Sequence, residues 1–157
     1  MEEISPENYR ALESRYRATA MIIAAQIALT MILVIAVWLA APAANSISQQ
    51  TLTTLWAVII FLAIGAFVLR RVFYRWDRLK DITLLKGVSG LLKTLQINAV
   101  VLGLFATSLT VVGCVITILS GETFEMLRAA IVALIVFLIN FPRKPVWKKI
   151  VAGMEKV

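Results

Sequence analysis

Histidine is absent from the sequence, and cysteine occurs once, at Cys114. Together these shortages exclude histidine-ligated haem, thiolate or imidazole zinc sites, Ser-His-Asp triads and intramolecular disulfides. Cys114 lies inside an apolar run, where it reads as a small buried residue and not a reactive thiol. Charge is scarce as well, at 16% of residues. What fills the chain is apolar: 61% of residues are hydrophobic, against about 45–50% in soluble domains. A soluble protein of 157 residues would have to expose much of that surface, whereas a bilayer makes it the favoured exterior.

A helix needs about 20 apolar residues to cross about 30 Å of hydrocarbon. Charge-free runs cover residues 18–41, 52–69 and 97–119. The first follows Arg15 and Arg17, the second stops at Arg70-Arg71, and the third ends at Ser120-Gly121, with Gly121 placed as a helix C-cap. A fourth span over 124–141 has to include Arg128, which reaches for the outer headgroups and has Glu125 on the same helical face as a partner. The expected fold is all-α: one domain, residues 1–157, forming an integral membrane four-helix bundle of two in-out-in hairpins with amphipathic cytoplasmic extensions.

The net charge is +7, and the basic residues sit before the first span, between the second and third, and after the fourth. By the positive-inside rule both termini and the middle segment are cytoplasmic, and the chain reads as multi-pass in a plasma (inner) membrane. Basic residues at the ends of apolar runs form no base-reading helix, so nucleic acid is not an expected partner. The segment Ala41-Pro42-Ala43-Ala44 has a signal-peptide flavour. However, the apolar core before it is too long, and Glu2, Glu3, Glu7 and Glu13 precede it, so cleavage is not expected.

Outside the spans, Ser5 caps a helix that starts before the membrane, with Pro6 at its first position. The second helix is expected to continue through Val72, Trp76, Leu79 and Ile82 against the headgroups and to turn at 86–90. In the tail, Trp147, Ile150, Val151 and Met154 share a face, which predicts a short helix lying in the interface. Arg71, Arg75, Arg78, Lys144, Trp147, Lys148 and Lys149 are the lipid-interface candidates, and membrane lipids, anionic ones included, are the partners they imply. Anchoring of the neighbouring spans accounts for the same residues.

No charge sits near the middle of a span. Proton coupling by a buried carboxylate and an acidic channel ring therefore have no candidate residue. The neutral polar groups are Gln26, Thr30, Asn98, Thr107, Ser108, Thr110, Thr117 and Asn140, and interhelical bonding explains them. Rows of small residues point to close helix packing: Ala20, Ala24 and Ala28 in the first span, and Ala99, Gly103, Thr107, Thr110 and Gly113 in the third. The two hairpins have like orientation but weak residue similarity. Ala106-Thr107-Ser108 stand where proteolipid subunits of rotary ATPases need a carboxylate, which excludes that family. The stretch Leu95-Gln96, through Gly113 and Ser120-Gly121, to Phe141-Pro142-Arg143 resembles the second half of small bacterial four-helix membrane proteins, a resemblance that implies a fold and no activity.

The sequence nominates no catalytic, cofactor-binding or metal-binding residue. The expected function is a non-catalytic accessory, scaffold or assembly subunit that pairs with a protein partner or with itself. The alternative is a small transporter or channel for a neutral or apolar solute, lined by Thr107, Ser108, Thr110 and Asn140. A lipid-phosphate enzyme using Asp77 and Asp81 lacks any metal-binding spacing.

Overall fold

The computed structural model describes residues 4–40 and 47–154. The signal-like segment 41–44 and most of the first inter-span loop lie outside the described residues. The elements are α1 (Pro6–Ala40), α2 (Gln49–Phe73), α3 (Trp76–Ser120), α4 (Thr123–Asn140) and α5 (Lys144–Met154). Four segments are long and apolar enough to cross a membrane: α1, α2, α3, and α4 taken with α5. Their ends follow local chemistry. Ser5 Oγ accepts the Asn8 N–H at 3.3 Å, Ser48 Oγ accepts the Thr51 N–H at 3.1 Å, and each satisfies a donor the helix itself cannot. Gly121 ends α3 with φ 72°, its N–H donating to Thr117 O at 2.8 Å.

α3 is the hub. It packs on α1, α2 and α4, whereas α1 and α2 do not approach each other among the described residues. Arg15 meets Gln96 and Gln26 meets Gly103, so α1 and α3 run in the same direction. Trp56 meets Glu125 and Arg70 meets Ile139, so α2 and α4 also run together. The core of this bundle joins Ile23, Ile59, Ala99, Ala106, Leu109, Ile116, Ala129, Ala133 and Phe137. The tightest crossing is between α3 and α4, where a Cβ on Gly113 would lie 2.3 Å from that of Ala129. Small residues permit that approach, and dispersion between close backbones holds it, because lipid offers little hydrophobic drive for helix association.

The small-residue row of the first span plays no such part within this chain. α1 buries Leu12, Thr19, Ile23, Thr30 and Val37, while Ala24 and Ala28 are exposed and Ala20 is half-buried. An alanine row permits close packing but does not draw another helix to it, and here the bulkier Ile23 stripe faces α3.

A second core lies at the basic end of the bundle. It joins Leu12, Leu79, Leu91, Leu92, Leu95, Trp147, Ile150, Val151 and Met154. α3 and α5 build it together with the N-terminal turns of α1, and both differ from expectation. The second helix does not continue past residue 73: it stops at Tyr74–Arg75, and Arg75 starts α3 in extended conformation. α3 itself has two legs joined at Gly87, whose φ of 65° and ψ of −176° suit glycine alone. Asn98 Nδ2 donates to Phe73 O at 3.4 Å, so the end of α2 is level with Asn98. From Asn98 back to Gly87 is about 15 Å of helix, and from Gly87 to Trp76 about as much. The two legs therefore fold beside each other as a hairpin projecting beyond the end of α2, with its turn at the expected position.

α5 is not the surface-lying helix its apolar stripe suggested. Lys144 pairs with Glu13, and Lys148 sits 4.8 Å from the centre of the Tyr9 ring. Increasing numbers on α5 thus meet decreasing ones on α1, so α5 runs back along the start of α1, away from the spans. Trp147 is only 1% exposed, edge-on to Tyr16 at 5.9 Å. It is a core residue and not a lipid contact, because a protein face covers the stripe first. α1 and the second leg of α3 run unbroken through both layers, while α2 and α4 each stop at their boundary, at Phe73-Tyr74-Arg75 and Phe141-Pro142-Arg143.

Candidate functional site

Between the two cores lies a polar junction. Arg15 Nη1 donates to Gln96 Oε1 at 3.0 Å, Asn98 to Phe73 O, and Arg70 Nη1 to Ile139 O. Carbonyls at the ends of α2 and α4, which their own helices leave unpaired, thereby gain donors. Asn140 donates from Nδ2 to Val136 O at 2.8 Å, but its buried Oδ1 meets no donor among the described residues. Tyr74 bonds with Trp147, and burial raises its phenol above the ordinary value, outweighing the opposing effects of Arg70 and of that bond. The phenol accordingly stays neutral.

A cleft of about 150 Å³ opens on this junction, walled by Arg70, Tyr74, Asn140, Pro142, Arg143 and Trp147. An open groove lined by Phe67, Val68, Arg70, Arg71 and Tyr74 adjoins it. Among the described residues, no carboxylate lines either one. The arrangement can hold an anion at the level where the charge-free runs end, and it contains no group poised to move a proton. Of the lipid-interface candidates, Arg71 lies on this groove. Arg78 is over the Phe73 ring at 5.0 Å, Arg75 lies 3.9 Å from Asp77, Lys144 and Lys148 are engaged with α1, and Lys149 is exposed. Arg70, Tyr74, Asn140 and Arg143 form the cleft without having been singled out as a group. Their common signal is position, at the last turn of a span or just past it.

The Lys144–Glu13 pair fastens α5 to α1 and is sensitive to pH. Its pairing with Lys144 holds the Glu13 carboxyl below its ordinary value, with Arg17 adding to the effect. The same contact raises Lys144. A lowered carboxyl contributes stability above its unfolded value and loses it as pH falls through the folded one. A raised ammonium contributes below its unfolded value and loses it as pH rises through the folded one. The clasp is therefore constant across neutral pH. Acidification below the ordinary Glu13 value of 4.5 should loosen α5, read as a change in Trp147 fluorescence in a chain whose other tryptophans are phenylalanine. Glu13→Gln should show the loosened signal at every pH, and an acid transition that persists unchanged in that variant would assign it elsewhere.

At the opposite end, Glu125 is 3% exposed. It accepts from Trp56 Nε1 and from Arg128 Nη1, both at 2.6 Å. Arg128 keeps its side chain 66% exposed, as a snorkelling residue does. The bond from Trp56 was not foreseen, and it ties the start of α4 to α2.

The α1–α3 seam carries Gln26 over Gly103, where an added Cβ would stand 2.0 Å from Oε1. Ala99, Thr110 and Gly113 are buried in α3. Thr107 is half-buried, donating to Gly103 O at 3.1 Å. Ser108 is exposed and bonds Leu104 O at 2.9 Å. Thr107, Ser108, Thr110 and Asn140 therefore do not line one passage: Ser108 faces outward, Thr110 is buried, and Asn140 lies at the basic end. Among the described residues, no group of three or more His, Cys, Asp and Glu side chains could hold a metal ion.

The architecture is that of four helical segments long and apolar enough to cross a membrane, as in a multi-pass membrane protein, with a second core at the basic end through which α1 and α3 pass. Comparison with protein-family models, curated proteins and solved structures returns no match.

Proposed function

We propose that the chain is a non-catalytic, multi-pass protein of the plasma (inner) membrane. Its four spans form two in-out-in hairpins, with both termini in the cytoplasm. It acts as an accessory, scaffold or assembly subunit of a membrane complex, or as a homo-oligomer. The observation that carries this reading is the tip of the α3 hairpin, where Leu84 and Leu85 are 60% and 82% exposed. The tip stands about 15 Å past the end of α2, and the headgroup layer is only about 6 Å deep. Water and not lipid faces these two leucines, and α1 and α3 hold them in fixed relation to the spans. An apolar pair in that position is suited to contact another protein.

A photoreactive residue at Leu85 tests this in native membranes. The reading expects one stoichiometric adduct, with a second copy of the chain or with a single larger protein, that is lost when Leu84 becomes serine. A clean monomer with no adduct contradicts it. For the transporter alternative, the outward position of Ser108 leaves no continuous polar lining.

A further inference from the structure

We infer that the junction cleft is a site for one anionic phospholipid, with Arg71 and Arg143 on its phosphate and Asn140 accepting from a headgroup hydroxyl. The inference rests on the proposed orientation, which places the basic end at the cytoplasmic headgroups. Arg71 and Arg143 are exposed, and their side chains form no ion pair or hydrogen bond among the described residues. Arg70 commits one nitrogen to Ile139 O, but its charge remains. Three guanidinium groups thus wall a cleft and a groove that share Arg70 and Tyr74 and that, among the described residues, no carboxylate lines. A bound anion would offset their like charges, and a phosphate suits the planar guanidinium.

Phe67 and Val68 are exposed at the foot of the groove and run down onto the span, which gives an acyl chain an apolar path away from the phosphate. Asn140 is 7% exposed, and its Oδ1 has no donor among the described residues. A buried acceptor left unpaired is unfavourable; Asn140 lines the cleft, and rotation of its carboxamide towards it would let Oδ1 accept from a headgroup hydroxyl there. The cleft's volume of about 150 Å³ fits a headgroup and not acyl chains, which continue along the groove. Basic pockets between spans on the cytoplasmic side have this character generally. Here the hydroxyl-seeking carboxamide adds selectivity within the anionic lipids.

The test is native mass spectrometry of the full chain carrying phosphatidylglycerol, phosphatidylmethanol (the same charge without the hydroxyls) or phosphatidylcholine. One phosphatidylglycerol should be retained per chain, in preference to phosphatidylmethanol and strongly over phosphatidylcholine. Arg71→Gln with Arg143→Gln should weaken retention about thirtyfold, each basic contact being worth about fivefold. Lys86→Gln, the same kind of charge loss at the hairpin tip, should change it less than twofold. Asn140→Leu should equalise phosphatidylglycerol and phosphatidylmethanol.

Equal retention of phosphatidylcholine, or a Lys86→Gln loss matching the double variant, would overturn the site in favour of general charge attraction. Equal retention of phosphatidylglycerol and phosphatidylmethanol by the unaltered chain would overturn the role of Asn140. No adduct in any arm would mean that a protein segment fills the groove, and would also overturn the site. Labelling of Lys86→Cys from the cytoplasmic side checks the orientation separately, so failure of the site and failure of that reading remain distinct.

Discussion

Replacing Trp147 with alanine should lower stability by about 3–5 kcal/mol and free α5 while leaving the spans assembled. The size follows from what the indole touches. It is fully enclosed among Leu12, Leu79, Leu91 and Leu95, lies edge-on to Tyr16, and bonds Tyr74. Removing it opens a cavity that rigid helices cannot close, because α1 and α3 are anchored in the membrane layer. It also leaves Tyr74 unpaired. Proteolysis of the reconstituted chain reads the effect: cleavage between residues 141 and 154 should rise sharply, with the span fragments unchanged. A variant cut no faster than the parent would mean that α5 contributes little to the extramembrane layer.

The second large effect is expected at Gly113. A leucine there should prevent α3 and α4 from meeting, since even a Cβ would fall 2.3 Å from that of Ala129. The obstacle is a Cβ fixed to a helix backbone, which cannot rotate aside as the tip of Gln26 can over Gly103. Overpacking ordinarily costs about 1–3 kcal/mol, and this site lies at the upper end or beyond it. Gly113→Ala should lie within that range. The double change Gly113→Ala with Ala129→Gly should recover most of the loss by exchanging knob and hole. Helicity followed through a detergent unfolding titration gives the ranking. If the double variant is no better than Gly113→Ala, close contact between those two positions is not what holds the pair.

The spans were legible because hydrocarbon imposes length and excludes charge, and the charge-free runs obey both. Local devices were legible for the same reason: Ser5 on Asn8, Gly121 at the end of α3, and Arg128 on Glu125 all act within one turn. Amphipathic stripes are different. That of Trp147, Ile150 and Val151 says only that something apolar covers it, and lipid and a facing protein stripe satisfy it equally. The partner was the face of Leu79, Leu91 and Leu92, distant in sequence and itself readable as lipid-facing.

The boundary motif was also present but unread. Phe73 and Arg75 are followed by Leu79 and Lys80, and Phe141 and Arg143 by Trp147 and Lys148, at equal spacing. Leu79 and Trp147 both enter the second core. The likeness of the two hairpins is therefore concentrated where each leaves the membrane, not in the spans, where almost any apolar residue serves. The cleft was legible only residue by residue, since Arg70 and Asn140 belong to different helices and meet through the parallel packing of α2 and α4.

The two-layer architecture is tested most directly by depth. Spin labels placed singly at Phe67 and Leu85, with Cys114 replaced by alanine, report exposure to a water-soluble relaxation agent and to oxygen dissolved in lipid. The label at Phe67 should respond to oxygen, and the label at Leu85 to the aqueous agent alone. A Leu85 label relaxed by oxygen as strongly as that at Phe67 would place the hairpin tip in the bilayer and contradict the extramembrane layer.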